Sequence, residues 1–210
     1  ELTSRPIICG DGWDSKIVST STGSALRFVA STAFTGAMLR DFAVAPQSAG
    51  GGTYGLEITL LPNGYVGDWL MDRLWIGDFG AQGLFLNNPA NTDGLFTGTV
   101  RGGVITNGIK GVRLGDRLSF SEINVPGRGL GFDISGVPGS RLLRIDGCTI
   151  VTKGGAISFE AVEQGQLVNN HMEHPWYLGS YAGDLQTMVN LSNCYHCQVL
   201  HNRINAMHGA

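Results

Sequence analysis

The stretch Ile145-Asp146-Gly147-Cys148-Thr149-Ile150, followed by Ala156-Ile157-Ser158-Phe159, contains the two patterns that decide the fold. The first pattern is six residues long and has an apolar residue at each end. The second pattern begins with a small residue, after which two apolar residues flank one variable residue. The two patterns alternate along most of the chain. The first recurs at residues 39–44, 71–76, 100–105, 118–123, 167–172 and 199–204, and the second at residues 55–58, 83–86, 111–114, 131–134 and, more loosely, 188–191.

The spacing of the first pattern indicates the type of repeat. Successive copies begin roughly 18 to 32 residues apart, which lies in the range of solenoid repeats. A leucine-rich repeat would need its own Leu/Asn consensus, and a β-propeller would need four strands in each period. The sequence therefore predicts an all-β fold, a right-handed parallel β-helix (β-solenoid) of about six to seven coils, in which loops absorb the changes in length.

The regular repeat covers residues 39–210, which we interpret as one β-helical domain. Residues 1–38 are less regular, and we expect them to form a first, imperfect coil. The chain begins without a Met and without a signal peptide, and its last residues follow directly on a predicted core strand. We therefore expect a fragment of a longer protein that is incomplete at its C-terminal end.

The composition is typical of a β protein with many turns, and it argues against two classes of partner. The 210 residues include 32 glycines, and 15% of the residues are charged, against about 25% in most soluble domains. The net charge is −3, and no Lys/Arg cluster is present, so we expect no binding to nucleic acid. No apolar run approaches the roughly 18 residues of a membrane helix, so we expect no membrane insertion.

The four cysteines are Cys9, Cys148, Cys194 and Cys197. Two disulfides are one interpretation, but a chain of this length does not need them, and buried free thiols are favoured. Cys194 and Cys197 have the Cys-x-x-Cys spacing of a zinc site. A structural zinc site asks for a second such pair at close spacing, so we expect neither a metal site nor another cofactor.

The alternation of side chains in a strand predicts which residues point outward. Because neighbouring coils stack about 4.8 Å apart, Arg113 and Asp133 are placed to form an ion pair. Gly and Asn recur inside the first pattern, as at Gly102-Gly103 and Asn169-Asn170, where we expect bends in the left-handed conformation. The predicted outward column is Glu57, Phe85, Arg113, Asp133, Ser158 and Asn190, and the predicted interior column is Leu56, Leu84, Val112, Phe132 and Ile157.

The architecture resembles the pectate-lyase-like β-helix superfamily and, within it, phage tailspikes and capsule depolymerases. The resemblance covers residues 39–205 and is carried by stretches such as Leu39-Arg40-Asp41-Phe42-Ala43-Val44 and residues 167–173. It implies a bacterial surface polysaccharide as the partner, with hydrolysis or β-elimination as the chemistry. It also implies a homotrimer in the tail of a virion, outside the cell.

One local motif resembles the polygalacturonases of the same superfamily. Asn91-Thr92-Asp93-Gly94 looks like their Asn-Thr-Asp motif, and Asp116 falls where their next carboxylate pair begins. The second position of that pair is Arg117 instead of Asp, and no Ser-His-Gly or Arg-Ile-Lys motif follows. The alternative interpretation of residues 91–94 is an ordinary polar turn.

Glycosidic hydrolysis usually needs two carboxylates, about 6.5–9.5 Å apart in inverting enzymes. In the predicted repeat, Glu160 lies one coil and two strand residues from Asp133, a backbone separation of about 8 Å. Asp116 is expected to align with Glu160 two coils earlier and to extend this acidic face. We therefore treat Asp133, Glu160, Asp116 and Glu173 as candidate catalytic residues. The alternative is that they are solvated surface carboxylates.

The longest insertion, residues 173–187, is rich in aromatic residues. Aromatic faces stack on sugar rings, and loops held by a rigid scaffold often carry function. The alternative is a loop that covers the side of the helix or packs on another subunit. The candidate substrate-binding residues are Trp176, Tyr177, Tyr181 and Asp184 of this loop, together with Arg113.

The sequence thus favours a tailspike-type protein that binds and degrades a bacterial surface polysaccharide, with a glycoside hydrolase-like activity. A non-catalytic structural or adhesive solenoid that only recognises glycan is the first alternative. A polysaccharide lyase is the second, although a lyase would need a Ca²⁺ site of clustered carboxylates, and the sequence has no tight Asp cluster.

Overall fold

The computed structural model describes residues 6–89, 96–137, 141–174 and 188–205, and all the regular structure in these ranges is β-strand. Each strand pairs in parallel with the strands of the preceding and following coils. The result is a parallel β-solenoid of about six turns, which confirms the predicted fold class. The described residues contain no helix that is long and apolar enough to cross a membrane.

The strands form three faces, which we number in the order in which each coil passes through them. Two long strands, β8 (Tyr65–Ile76) and β10 (Phe96–Ile105), run through faces 1 and 2 and join them into one sheet of 15 strands. Face 3 is a separate sheet of seven strands. Besides β8 and β10, face 1 holds β1 (Ile7–Cys9), β5 (Met38–Arg40), β12 (Leu118–Ser121), β15 (Arg144–Asp146), β18 (Gln166–Val168) and β21 (Gln198–Leu200).

The other strands continue the coils. The short strand β4 (Ala33–Thr35) pairs with the beginning of β8. Face 2 holds β2 (Lys16–Ser19), β6 (Ala43–Pro46), β13 (Asn124–Gly127), β16 (Thr149–Thr152), β19 (His171–Glu173) and β22 (Arg203–Asn205). Face 3 holds β3 (Leu26–Ala30), β7 (Tyr54–Leu60), β9 (Gln82–Asn87), β11 (Ile109–Leu114), β14 (Phe132–Gly136), β17 (Ile157–Glu160) and β20 (Val189–Ser192).

The interior of the solenoid is a column of stacked apolar side chains. Four of the five residues predicted for face 3 lie in it, but Val112 does not. Ile109 takes its place, because Ile109 is in register with both Leu84 and Phe132. The full column is Leu26, Leu56, Leu84, Ile109, Phe132, Ile157 and Val189.

The register of β11 explains why Val112 is displaced. Gly111 occupies a position of β11 that faces the interior. A Cβ at Gly111 would lie only 2.4 Å from Cδ1 of Leu114, so a larger residue would not fit there. Leu114 therefore fills the space above Gly111, and the pairing of β11 with β14 shifts between these two residues. This irregularity pushes Val112 and Arg113 out of the positions that the pattern predicts.

In each coil from β5 onward a left-handed residue, or two in succession at Gly102-Gly103, turns the chain from face 1 to face 2, and we call this bend corner 1–2. The bends predicted at Gly102-Gly103 and at Asn169 are confirmed, with φ of 63°, 85° and 54°. Charged residues occupy the same position in other coils, so stacking imposes the conformation even where the residue type does not favour it. The residues are Asp41, Arg73, Gly102, Glu122, Gly147, Asn169 and His201.

The interior side of corner 1–2 carries buried polar groups in its last coils. Asn170 is 1% exposed and accepts a hydrogen bond from the Cys148 amide at 2.9 Å. Its side-chain nitrogen donates to the carbonyl of Ile145 and to Oδ1 of Asn202, each at 2.9 Å. Asn202 in turn donates to the carbonyl of Leu167 at 2.7 Å. The two asparagines thus form a ladder that ties successive coils together at the bend.

Candidate functional site

A groove of about 450 Å³ lies where the chain passes from face 2 to face 3, at what we call corner 2–3. Four successive loops form it, because their coils stack on one another. The groove is open to solvent and is lined mainly by small and polar residues. These are Ala49, Gly50, Asp78, Phe79, Gly80, Ala81, Gln82, Asn107, Arg128 and Gly129.

Asn107 holds three of these loops together. It is 9% exposed and adopts a left-handed conformation with φ of 63°. Its side-chain nitrogen donates to the carboxylate of Asp78 and, at 2.7 Å, to the carbonyl of Phe79. Its side-chain oxygen accepts a bond of 3.2 Å from the Arg128 amide. Asn107 is therefore the internal support of the groove, and it fixes Asp78 on one side and the Arg128 backbone on the other.

Polar side chains and glycine backbone form the accessible surface of the groove. Arg128 is exposed, and neither it nor Asp78 forms an ion pair with another residue in the described parts of the chain. A Cβ placed on Gly50 or on Gly129 would have no heavy atom within 4 Å. A side chain at either glycine would therefore extend into open space beside the groove, and Arg128 and Asp78 provide a cation and a carboxylate at its surface.

An aromatic pair borders the groove on face 3. The rings of Tyr54 and Phe85 are 4.5 Å apart between centroids and inclined by 36°, and both residues are half-buried. Tyr54 is in register with Gln82, which lines the groove. Phe85 occupies the outward column of face 3, as predicted. The pair therefore supplies flat apolar area beside the polar groove.

The structure confirms the predicted register of Asp133 and Glu160 on face 3. Asp133 is in register with Ser158, and Ser135 is in register with Glu160. One coil and two strand residues thus separate the two backbones, about 8 Å. Glu160 is exposed, and its carboxylate forms no hydrogen bond or ion pair with another described residue. Asp133 forms an ion pair with Lys110, at 3.4 Å.

The predicted ion pair between Arg113 and Asp133 is wrong. Lys110, not Arg113, is in register with Asp133, because β11 is displaced as described above. Arg113 is exposed, its guanidinium donates to the carbonyl of Pro89 at 3.2 Å, and its amide donates to Oγ of Ser135 at 3.0 Å. The outward column of face 3 therefore carries Lys110 where the pattern placed Arg113.

Asp116 does not extend the column of Glu160 as predicted. It lies past the end of β11, where the chain turns from face 3 to face 1, at what we call corner 3–1. Its Oδ1 accepts a hydrogen bond of 2.8 Å from the Arg141 amide, and the Arg141 side chain in turn lies 3.7 Å from Glu163. Asp116 thus accepts a hydrogen bond from the backbone of the next coil at corner 3–1. It does not lie in the outward column that contains Glu160.

Glu173 lies on a different face from Asp133 and Glu160. It is the last residue of β19 on face 2, in register with Val151 and Asn205. Its carboxylate is 3.6 Å from Nε2 of His171, which carries a charge only when it is protonated. The structure therefore brings Asp133 and Glu160 together on one face but places Glu173 apart from them.

Several predicted residues lie outside the described parts of the chain. These are the four candidate substrate-binding residues of the insertion, Trp176, Tyr177, Tyr181 and Asp184, and the motif at residues 91–94. The described residues on either side of the insertion belong to β19 on face 2 and β20 on face 3.

Glu57 also belongs to the outward column, but its carboxylate is already bonded to neighbouring side chains. It is 8% exposed, accepts hydrogen bonds from Ser24 and Thr59, and pairs with Arg27 at 3.1 Å. Burial alone would raise the pKa of Glu57, but these hydrogen bonds and the Arg27 charge outweigh burial and lower it. Glu57 is thus an ionised structural group that joins the first coils of face 3.

Two further findings concern the cysteines and the possible metal ligands. Cys148 is buried, as predicted, and burial raises its pKa to about 11, but Cys9 is exposed. Over the described ranges, no three His, Cys, Asp or Glu side chains come together in an arrangement that could hold a metal ion.

The chain matches no family model, no curated protein and no solved structure.

The sequence patterns did not reveal the residues that build the groove. Asp78, Asn107 and Arg128 lie in the connections between patterns, which differ in length from coil to coil. One local signal was present: Asn107-Gly108 is a dipeptide typical of tight turns, and both residues are left-handed. That signal predicts only a bend. The bend lines a groove because Asn107 bonds to Asp78 and to the Arg128 amide on the neighbouring coils.

Proposed function

We propose that this chain binds an extended bacterial surface polysaccharide along corner 2–3 and the adjoining surface of face 3, as part of a tailspike-type protein. The observation that carries the proposal is the groove of about 450 Å³ beside the outward aromatic pair of Tyr54 and Phe85. Small-ligand sites usually have volumes of about 300–1,000 Å³, and an aromatic ring offers its face to the apolar side of a sugar.

The surface beyond the groove suits a polymer better than a small molecule. Face 3 continues past the aromatic pair with the Lys110–Asp133 ion pair and with Asn190, which donates to Oγ of Ser158 at 3.3 Å. These polar groups repeat at the spacing of the coils, about 4.8 Å. Sugar hydroxyls both donate and accept hydrogen bonds, so a glycan chain lying along the solenoid has partners on several coils.

The sharpest test adds bulk at the edge of the groove, at a position where the fold leaves space. Gly129→Trp places a large side chain in open space and is expected to weaken polysaccharide binding at least tenfold, about 1.4 kcal/mol. Gly129→Ala is the matched control, because its methyl group also meets no atom within 4 Å and is too small to block the groove. The measurement is isothermal titration or affinity electrophoresis against a panel of purified capsular polysaccharides and O-antigens.

Two outcomes contradict this proposal in different ways. If Gly129→Trp binds a polysaccharide as tightly as the unmodified protein, the ligand lies elsewhere on the surface. If no member of a broad panel is bound, polysaccharide recognition by this chain is wrong. Circular dichroism of the three proteins shows whether the variants keep the β fold.

Cleavage of the bound polymer is a second candidate function, favoured by the register that places Glu160 one coil and two residues from Asp133. The backbone separation of about 8 Å falls in the range of carboxyl separations in inverting enzymes, in which the base activates a water on the face of the sugar opposite the acid. In this role Glu160, which is exposed and unpaired among the described residues, and Asp133, beside Lys110, act as the acid and the base.

We expect Asp133→Asn and Glu160→Gln each to abolish the release of reducing ends and to leave binding nearly unchanged. Asp116→Asn is the control, because Asp116 lies around corner 3–1 and an amide oxygen can still accept the Arg141 amide. Normal cleavage by both amide variants would eliminate this pair as the catalytic residues. An unsaturated product, detected by its ultraviolet absorbance, would identify a lyase instead.

The family resemblance supports two further parts of the proposal, a homotrimeric assembly and a location in the virion tail. Neither rests on a contact between described residues. The binding surface proposed above lies within one chain and does not depend on either of them.

A further inference from the structure

Two cysteines lie close together at corner 3–1 of the last described coil. Cys194 and Cys197 flank Tyr195 and His196, and the left-handed residues Asn193 and His196, with φ of 51° and 53°, bend the chain there. Both cysteines are half-buried, and Cys194 packs against the hydrophobic core. One bend therefore carries two thiols, three residues apart, on its inner side.

The preceding coil provides the space for these thiols. The bridge between Glu163 and Tyr195 aligns Cys194 with Val162 and Cys197 with Gly165. The sulfur of Cys197 lies 3.0 Å from the point where a Cβ on Gly165 would be, and Cγ1 of Val162 lies 3.2 Å from the same point. The missing side chain at Gly165 thus lets the Cys197 sulfur approach Val162, over which Cys194 is aligned.

Both sulfurs contact one stretch of the preceding coil. The sulfur of Cys194 lies 3.5 Å from the carbonyl of Phe159, and the sulfur of Cys197 lies 3.7 Å from the carbonyl of Val162. Burial raises the pKa of the Cys197 thiol, and the adjacent Cys194 thiol raises it as well. Residues 159–162 of the preceding coil thus hold both sulfurs inside the corner.

We propose that Cys194 and Cys197 form an intrachain disulfide when the protein is exposed to a low-molecular-weight disulfide such as oxidised glutathione. One cysteine thiolate attacks a glutathione sulfur, which forms a mixed disulfide and releases one glutathione thiolate. The second cysteine thiolate then attacks the protein sulfur of that mixed disulfide and releases the other glutathione. The protein loses two protons and two electrons, and oxidised glutathione is reduced to two thiols.

The disulfide would act in the last described coil, where Val199 and Ile204 stack on Leu167 and Met172 of the preceding coil. Both cysteines belong to the bend between β20 and β21, so the bond closes a small ring within corner 3–1 and restricts that bend, a role separate from glycan binding.

The test is equilibration of the 210-residue protein with oxidised and reduced glutathione, followed by acid quenching, alkylation and peptide mass mapping. We expect the peptide that contains Cys194 and Cys197 to lose about 2 Da, the mass of two hydrogens, and to resist alkylation. Cys9, which is exposed, should instead be alkylated or carry glutathione, and Cys148 should stay reduced because it is buried.

The Cys197→Ser variant provides an independent check. With no second thiol in the corner, Cys194 should be recovered as the mixed disulfide with glutathione, which the unmodified protein resolves. Hydrogen exchange in residues 188–205 should slow on oxidation of the unmodified protein and should not slow in the variant. Recovery of Cys194 and Cys197 as two separate mixed disulfides, or as two alkylated thiols under conditions that modify Cys9, overturns the proposal.

Discussion

Replacement of Leu84 by alanine is expected to lower the free energy of unfolding by about 2–5 kcal/mol. Leu84 is fully buried in the interior column of face 3, in register with Leu56 and Ile109 on the neighbouring coils. Truncation removes apolar surface from the core and leaves a cavity that the rigid strands of three coils cannot close. The change is measured by urea denaturation, monitored by circular dichroism.

Leu61→Ala is the matched control for this prediction. It makes the same chemical change just past the end of β7, where Leu61 is 39% exposed. Its effect should stay within about 0.5 kcal/mol, as is usual for surface substitutions. Equal losses of stability in the two variants would contradict the interior column on which the description of face 3 rests.

The second large effect is expected at the asparagine ladder. Asn170→Ala removes the partners of the Cys148 amide, the Ile145 carbonyl and the Asn202 side chain. Each buried polar group left without a partner costs about 1–3 kcal/mol, so we expect a loss of about 2–5 kcal/mol in the free energy of unfolding. The denaturation midpoint should fall while the denaturant dependence stays constant.

Asn190→Ala tests whether burial is the cause of that loss. Asn190 is exposed on face 3 and has one hydrogen bond of 3.3 Å, to Ser158. Water replaces this bond when the side chain is removed, so the stability should change by no more than about 0.5 kcal/mol. A small effect at Asn170, similar to that at Asn190, would mean that the ladder does not hold corner 1–2 together.

The repeat pattern is sufficient to predict the fold wherever the period of two decides on which face of a strand a side chain lies. The alternation predicted four members of the interior column, the outward position of Phe85 and the register between Asp133 and Glu160, and these are confirmed. These predictions succeed because the period of two fixes the face on which each side chain lies, and a slip by one residue would expose the core.

The error at β11 shows where the pattern is ambiguous. Gly108-Ile109-Lys110-Gly111 and Gly111-Val112-Arg113-Leu114 both begin with a small residue followed by an apolar one. The chain uses the first of them, because Ile109 stacks between Leu84 and Phe132 while Leu114 fills the space above Gly111. Because the pattern was placed at Gly111, it predicted Arg113 as the cation beside Asp133, whereas the structure has Lys110 there.

The sequence by itself determined that this chain is a parallel solenoid, which residues fill most of its interior and where several of its bends lie. Periodicity is a local property, and each strand shows it without reference to its neighbours. Only the tertiary structure decided that Asp78, Asn107 and Arg128 form one groove and that Lys110 faces Asp133. Those contacts join residues 20 to 30 positions apart, and the loop lengths and the bulge in β11 determine which residues meet when the coils stack.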